Sequence, residues 1–139
     1  MHFMVIRKAD AQTEAGVLPS AKVIDDMQAY NEKLVRSGQM KDGGGLMASS
    51  RGARVSFSNG KPTVIDGPFA EAKELIAGYS IIEAASLAEV VELVKHWPSE
   101  DGQGNVQIEI RQLFTVDDLA FSDEQKARYA RLEQGAQQQ

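Results

Sequence analysis

Short apolar runs alternate with amphipathic stretches along the chain, and together they predict a mixed α+β fold. Residues 3–6 are apolar and predict a buried strand. A helix should begin at the N-cap Ser20 and end at Gly38. Its core-facing residues recur every three or four positions: Val23, Met27, Tyr30 and Leu34.

The middle of the chain predicts several strands. Residues 42–45 are glycine-rich and are expected to be a flexible connection, followed by a weak strand over 46–50. Residues 53–58 and 62–65 flank Asn59-Gly60, the dipeptide that favours a tight hairpin turn. Residues 76–83 predict a further strand.

The remaining elements have clear end signals. Ser86 and Glu89 have capping-box spacing and open a helix that Pro98 ends, and residues 106–111 alternate strictly between aliphatic and polar. Ser122 and Gln125 repeat the capping spacing, which predicts a last helix to about Glu133. Residues 137–139 are expected to be disordered.

The predicted order is β-α-β-β-β-β-α-β with a C-terminal helix. It indicates an α+β fold of the ferredoxin-like, split-βαβ type with an inserted β-hairpin and two helices on one face of the sheet. The polar face of residues 106–111 suggests that a second subunit covers the other face of the sheet. We expect one domain over residues 1–115 and a helical extension over 116–139.

Composition narrows the classes of partner. The 139 residues carry 15 Lys and Arg against 20 Asp and Glu, a net charge of −5, which argues against binding of DNA or RNA. No apolar run is long enough to cross a bilayer, no leader is evident at the N-terminus, and we expect a cytoplasmic protein. With no cysteine and two histidines, the sequence indicates no cofactor and no metal site, and any cation would need carboxylate ligands.

One motif resembles a known family. Asp66-Gly67-Pro68-Phe69 is followed by Ala-Glu-x-Lys-Glu and then by Gly78-Tyr79 at the start of a strand, as in the YCII-related proteins that carry a DGPF domain. Asn59-Gly60-Lys61, His96-Trp97-Pro98 and residues 108–111 are similar too, so the resemblance covers residues 2–114. Residues 116–133 resemble the extension of the longer DGPF members.

The resemblance implies a homodimeric α/β barrel in which two sheets face each other across clefts. It also implies lyase or isomerase-like work on a small organic molecule, an activity suggested from a His–Asp pair in the shorter YCII proteins. This chain has no histidine between Lys8 and Phe69 and departs from that pattern. Two hypotheses stay open: an enzyme using acid–base chemistry in the cleft, or a non-catalytic module that binds a metabolite or regulates a partner there.

Three residues are candidate catalytic groups. Asp66 ends a strand, where it is either a turn cap or a general base. Glu71 either faces solvent or is a second carboxylate beside Asp66. Asp66, Glu71 and Glu74 together would suit a hard cation. His96 is either a helix C-terminal cap or a proton carrier.

The candidate ligand-binding residues combine aromatic rings with cations, as in pockets for anionic or aromatic ligands. They are Tyr30, Arg54, Phe69, Lys73, Tyr79 and Arg111. Tyr30 also fits a core position, and Tyr79 follows a glycine that permits close backbone approach.

Overall fold

The structure is a computed structural model that describes residues 1–137. It contains six strands and four α-helices within that range. The strands are β1 (His2–Lys8), β2 (Met40–Gly45), β3 (Ala53–Ser58), β4 (Lys61–Asp66), β5 (Ile76–Glu83) and β6 (Ile108–Gln112). The helices are α1 (Ala11–Glu14), α2 (Ala21–Arg36), α3 (Leu87–Val94) and α4 (Asp123–Gln137).

Four strands form one antiparallel sheet in the order β2-β5-β1-β6. This is the order that the split-βαβ prediction requires, and the mixed α+β class is confirmed. Strands β3 and β4 form a separate two-stranded sheet. The hairpin prediction is also confirmed: Asn59 (φ 51°) and Gly60 (φ 77°) both lie in the left-handed region that a tight turn between such strands needs.

The second strand of the main sheet differs from the prediction. It lies at Met40–Gly45, in the glycine-rich segment expected to be flexible, whereas Ser49–Arg51 is a short 3₁₀ turn. The expectation of a strand over 46–50 was therefore wrong. Gly43, Gly44 and Gly45 have low intrinsic strand preference, but pairing with β5 supplies the hydrogen bonds that hold them extended.

The core lies between the main sheet and the helices α2 and α3. Phe3 and Val5 of β1 and Ile82 of β5 are buried against Leu34 and Val90. Ile108 and Ile110 of β6 pack against the same cluster, as the alternation in this strand predicted. Each of these side chains removes apolar surface from water, which contributes on the order of 1.5–3 kcal/mol for a fully buried one.

Capping residues define the starts of the helices as the sequence predicted, but α3 ends at Val94, before the predicted stop at Pro98. The Ser20 side chain accepts a hydrogen bond from Val23 N, and that of Ser86 accepts one from Glu89 N. Ser122 and Gln125 cap α4 reciprocally, with Gln125 N to Ser122 Oγ at 3.1 Å. This last helix continues past Glu133 to Gln137, so the expectation of disorder was wrong at 137. The same expectation for 138 and 139 lies outside the described residues.

Candidate functional site

One face of the main sheet lies opposite the layer formed by α2 and α3. Side chains alternate along β1, so that Phe3 and Val5 point into the core while Met4 and Ile6 lie on the opposite face, which we call the open face. Ile81 and Tyr79 of β5 lie directly opposite these two residues. The centre of the open face is therefore apolar, and its side chains are only half-buried.

Two cross-strand rows organise the open face. One row runs Gly44, Tyr79, Ile6 and Glu109 across the four strands, and the other runs Asp42, Ile81, Met4 and Arg111. Neighbouring strands are about 4.8 Å apart, so Tyr79 and Glu109 arise about 10 Å from each other on either side of Ile6. A small molecule lying over Ile6 would be flanked by a phenol and a carboxylate.

Glycine at position 44 determines where the Tyr79 ring lies. A Cβ added at Gly44 would lie 3.7 Å from Tyr79 Cε1 and 3.8 Å from its hydroxyl, so the ring lies over bare backbone. Gly78 approaches the neighbouring strand closely too, since a Cβ there would lie 3.3 Å from Gly44 O. The ring thereby leans toward β2 and away from Ile6.

Charged groups border the open face on β6. Arg111 Nη1 lies 3.5 Å from Glu109 Oε2, and the Arg111 side chain is 74% exposed. An exposed pair of this kind contributes little to stability, so the guanidinium can turn to a ligand at small cost. The structure thus brings together two of the predicted ligand-binding residues, Tyr79 and Arg111, on one surface.

The residues of the Asp-Gly-Pro-Phe motif build the base of the hairpin. The Gly67–Pro68 peptide bond is cis. A Cβ at Gly67 would lie 1.7 Å from Ser49 O, so only glycine fits against this turn. Phe69 N donates to Ser49 Oγ at 2.9 Å, and the Arg54 guanidinium lies 3.9 Å above the Phe69 ring. Arg54 and Phe69, both candidate ligand-binding residues, therefore contact each other here.

A glutamate and a serine fasten this turn to the first helix. Ser49 donates its hydroxyl proton to the Glu14 carboxylate, which also accepts from Ser49 N at 2.9 Å. Sequence reasoning missed both residues. No local signal announces them, because they lie 35 positions apart and meet only when the chain folds.

The three candidate catalytic residues do not converge. Asp66 is exposed and pairs with Ala53 at the end of the hairpin, and Glu71 precedes a 3₁₀ turn. His96 is exposed after the end of α3, in a backbone turn in which its N–H bonds Leu93 O. In residues 1–137 no hydrogen bond or ion pair joins any two of them.

A buried ion pair that the sequence did not reveal lies at the end of β1. Arg7 donates from Nε and Nη2 to the two carboxylate oxygens of Asp101, at 3.1 and 2.8 Å, and from Nη1 to Asp10 at 3.1 Å. Trp97 Nε1 donates to Asp101 at 2.9 Å. Burial raises the pKa of Asp101, but the hydrogen bonds from Arg7 and Trp97 outweigh it and hold that pKa below its usual value.

A shallow depression of about 200 Å³ opens beside this ion pair. Lys73, predicted to bind ligand, lines it with Lys8, Asp10, Asn105 and Gln107. Asp10 is already occupied, because it accepts from Arg7 and from Thr13 N. Burial raises the pKa of Asp10, yet the bonds from Thr13 and Arg7 bring it below its usual value, so this carboxyl is a poor proton donor.

Tyr30, the remaining candidate ligand-binding residue, belongs to the helix layer. Its hydroxyl donates to Leu93 O at 3.2 Å, and its ring lies 5.5 Å from that of Trp97. Burial raises the pKa of this phenol. The structure therefore places Tyr30 on the opposite side of the sheet from Tyr79.

Residues 1–137 hold neither a metal-binding cluster nor a membrane-spanning helix. They contain no group of three His, Asp or Glu side chains positioned to hold a metal ion, so Asp66, Glu71 and Glu74 do not assemble into one. Across the same residues, none of the helices has the length and apolar character needed to cross a membrane.

Comparisons with known proteins identify the family. The chain is 34% identical to an uncharacterised protein of Rhizobium meliloti (strain 1021) over 74 residues, 53% of this chain and 60% of that one. Among solved structures, it is similar to 5-chloro-2-hydroxyhydroquinone dehydrochlorinase of Burkholderia phenoliruptrix AC1100, solved with 2,5-dihydroxybenzoquinone. That similarity has a TM-score of 0.45 and 19% identity and covers 82% of this chain and 94% of the other. The model of the YCII-related domain matches residues 1–112, and the chain belongs to the YCII-related family.

Proposed function

We propose that the protein is a homodimer that binds a small organic molecule on the open face, in a cleft closed by the sheet of a second subunit. The observation that carries the proposal is the row in which Tyr79, Ile6 and Glu109 lie side by side. An apolar centre with a few polar groups at its border is the usual composition of a ligand site.

The same row indicates the class of ligand. Ile6 and Met4 offer an apolar surface about the width of a six-membered ring, Tyr79 offers a hydroxyl and Arg111 offers a guanidinium within the neighbouring row. A ring that carries a carboxylate for Arg111 and a hydroxyl that donates to Glu109 would satisfy the charged groups of both rows. Arg111 would bind a carboxylate through two parallel N–H bonds.

Dimerisation supports this site because a single subunit leaves it open to water. Met4, Ile6, Tyr79 and Ile81 form a half-buried apolar surface on the side of the sheet opposite α2 and α3. Two sheets that pack face to face lie about 10 Å apart, which leaves room for side chains and a flat ligand. Closure also strengthens the polar contacts by excluding water.

Binding is better supported than turnover. Acid–base catalysis requires a donor and an acceptor within hydrogen-bond reach of one substrate, and Asp66, Glu71 and His96 occupy separate elements. Lyase or isomerase-like catalysis is the second candidate. It would require Asp66 to reach the cleft from the base of the hairpin, and Asp66→Asn should then abolish turnover while leaving ligand binding intact.

A panel of benzoate, hydroxybenzoates and aliphatic carboxylates tests the binding proposal. We expect at least one aromatic acid to raise the melting temperature of the wild type and to shift amide signals of β1 and β6 in NMR spectra. Tyr79→Phe should weaken the binding of that acid by about 3–10-fold, the effect of one lost hydrogen bond, and Arg111→Gln by at least about tenfold, because it removes a charge-assisted pair. Tyr30→Phe is the matched control, because it removes the same hydroxyl on the helix side of the sheet.

The proposal fails on either of two results. If Tyr79→Phe and Arg111→Gln both leave the affinity for the acid unchanged, the ligand binds away from the open face. If no member of the panel perturbs β1, β5 or β6, the open face does not bind ring-shaped acids.

A further inference from the structure

Four large apolar side chains of the β3–β4 hairpin are exposed. Every residue of both strands is exposed. The exposed fractions are 54% for Val55, 70% for Phe57, 64% for Val64 and 47% for Ile65. Contiguous apolar patches of this kind on a soluble chain mark a surface that another molecule covers.

The apolar residues are concentrated on one face of the hairpin. Val55 lies opposite Val64, and Phe57 lies opposite Pro62. Because side chains alternate along a strand, these four residues share a face, whereas Ser56 and Thr63 lie on the other. The hairpin therefore presents a flat apolar surface about two side chains long and two wide.

Contacts with the rest of its own chain hold only the base of the hairpin. Gly67 N donates to Gly52 O at 3.0 Å, and Phe69 N donates to Ser49 Oγ at 2.9 Å. Neither strand is hydrogen-bonded to the main sheet. An isolated two-stranded hairpin is at best marginally stable in water, so the outer part of this one needs a surface to pack against.

We propose that the hairpin is a dimerisation arm, which packs its Val55, Phe57, Pro62 and Val64 face on a second copy of this chain. The inference deepens the proposed function and rests on its homodimer. The arm connects the end of β2 to the start of β5, and both of these lie at the edge of the main sheet where β1 ends at Lys8. From that edge the arm would reach across the mouth of the partner's cleft. The ligand site of each subunit is then complete only when the arm of the other subunit is in place.

The net charge of the arm favours a second copy of this chain as the surface on which it packs. The arm, residues 53–66, contains Arg54 and Lys61 against Asp66, a net charge of +1. The whole chain carries −5, so the remainder carries −6 and attracts the arm of another copy. Asp42 and Glu109 place part of that negative charge at the two edges of the open face.

Two-fold symmetry makes the contact large enough. In a dimer each arm packs on the other subunit, so the same contact forms twice and the assembly closes at two copies. The two arms, together with the partner surfaces beneath them, would bury on the order of 1,200–2,000 Å² in total. This is the size of a standard stable interface, on the order of 1,600 Å². A single arm on an unrelated partner would bury about half as much.

The experiment measures self-association of the full chain by sedimentation velocity across a concentration series. Val55→Thr/Val64→Thr keeps the shape and strand preference of both side chains but removes apolar surface. We expect it to raise the dimer dissociation constant at least tenfold. Ser56→Thr/Thr63→Ser alters the cross-strand pair on the opposite face and should change that constant less than twofold.

A second measurement traps the contact covalently. The chain contains no cysteine, so Phe57→Cys introduces a single thiol that can carry a benzophenone photocrosslinker. Irradiation should yield a covalent dimer in which the label is joined to a peptide of the partner. Capture of the label only within its own chain would overturn the arm.

The outcomes separate this inference from the proposed function. The arm alone is overturned if Val55→Thr/Val64→Thr leaves the dimer dissociation constant unchanged while Tyr79→Phe still weakens ligand binding. If the double variant dissociates the dimer but Tyr79→Phe leaves ligand affinity unchanged, the arm is supported and the ligand site in the cleft is overturned. A wild type that is monomeric at every concentration overturns the arm and the proposed homodimer together.

Discussion

Arg7 and Asp101 are 94 residues apart in the sequence, and the guanidinium of one donates two hydrogen bonds to the carboxylate of the other, at 3.1 and 2.8 Å. Both side chains are about nine-tenths buried. The pair fastens the loop after α3 to the end of β1. Gly102, the next residue, needs its positive φ of 60° for the loop to turn here.

Removal of one partner of this pair should destabilise the fold strongly. Asp101→Ala removes one of the two carboxylates that compensate the buried Arg7 guanidinium, and we expect the free energy of unfolding to fall by about 3–5 kcal/mol. Urea denaturation measures the loss. Asp26→Ala is the control, because it breaks the exposed pair with Lys22 and should cost less than about 1 kcal/mol. Equal losses for the two variants would contradict the role of the buried pair.

Acid should destabilise the protein through the same carboxylates. The pKa values of Asp101 and Asp10 are lowered in the folded state, because hydrogen bonds to their charged forms outweigh the effect of burial. The stability that they contribute is therefore present above the unfolded pKa of about 3.9 and is lost as pH falls through the folded values. Urea midpoints at pH 7, 5 and 3 should drop steeply only in the last interval. Asp101→Asn should flatten that drop, and an unchanged slope would rule out Asp101 as its source.

Gly67 should not tolerate any side chain. A Cβ there would lie 1.7 Å from Ser49 O, a backbone atom that can move only with its whole turn. We expect Gly67→Ala to cost at least about 2 kcal/mol of unfolding free energy and to disturb the amide signals of Ser49 and Phe69. Gly45→Ala is a suitable control, since no atom lies within 4 Å of its added Cβ, and it should change stability by less than about 0.5 kcal/mol.

The C-terminal extension should be dispensable for folding. The side chains at 123–136 are all exposed, and Phe121 stacks on Tyr129 at a centroid distance of 6.0 Å within the extension itself. A chain truncated after Thr115 should keep the circular dichroism of the α+β core, while its dimer weakens or its cleft takes up a hydrophobic dye. An unfolded truncated chain would show that the extension completes the core. Unchanged dimer affinity and dye binding would leave it without a role.

Local signals predicted much of the fold correctly. The turn at Asn59-Gly60, the caps Ser20 and Ser86 and the alternation over 106–111 each depend on residues within a few positions of one another. Their energies are set by backbone geometry and by nearby hydrogen bonds, which the sequence displays directly. The strand at Met40–Gly45 was missed because pairing with β5, rather than the intrinsic preference of glycine, makes it a strand.

The candidate site was only partly predictable, because its residues are brought together by strand pairing and not by local signals. Alternation in β6 assigned Arg111 to a non-core face, but only the strand order β2-β5-β1-β6 placed Tyr79 and Glu109 in one row on either side of Ile6. Tyr30 and Tyr79 have the same side chain, and the sheet separates them onto opposite faces.

The sequence by itself determined the local elements, the acidic character of the chain and its resemblance to the YCII-related family. Only the tertiary structure decided the partners of distant groups, Arg7 with Asp101 and Glu14 with Ser49. Such contacts form when the loops between them close, and the free energy of each depends on burial and geometry that no short segment encodes. The exposure of Val55, Phe57 and Val64 was decided in the same way, because strand patterning cannot show whether a hairpin joins the sheet or extends away from it.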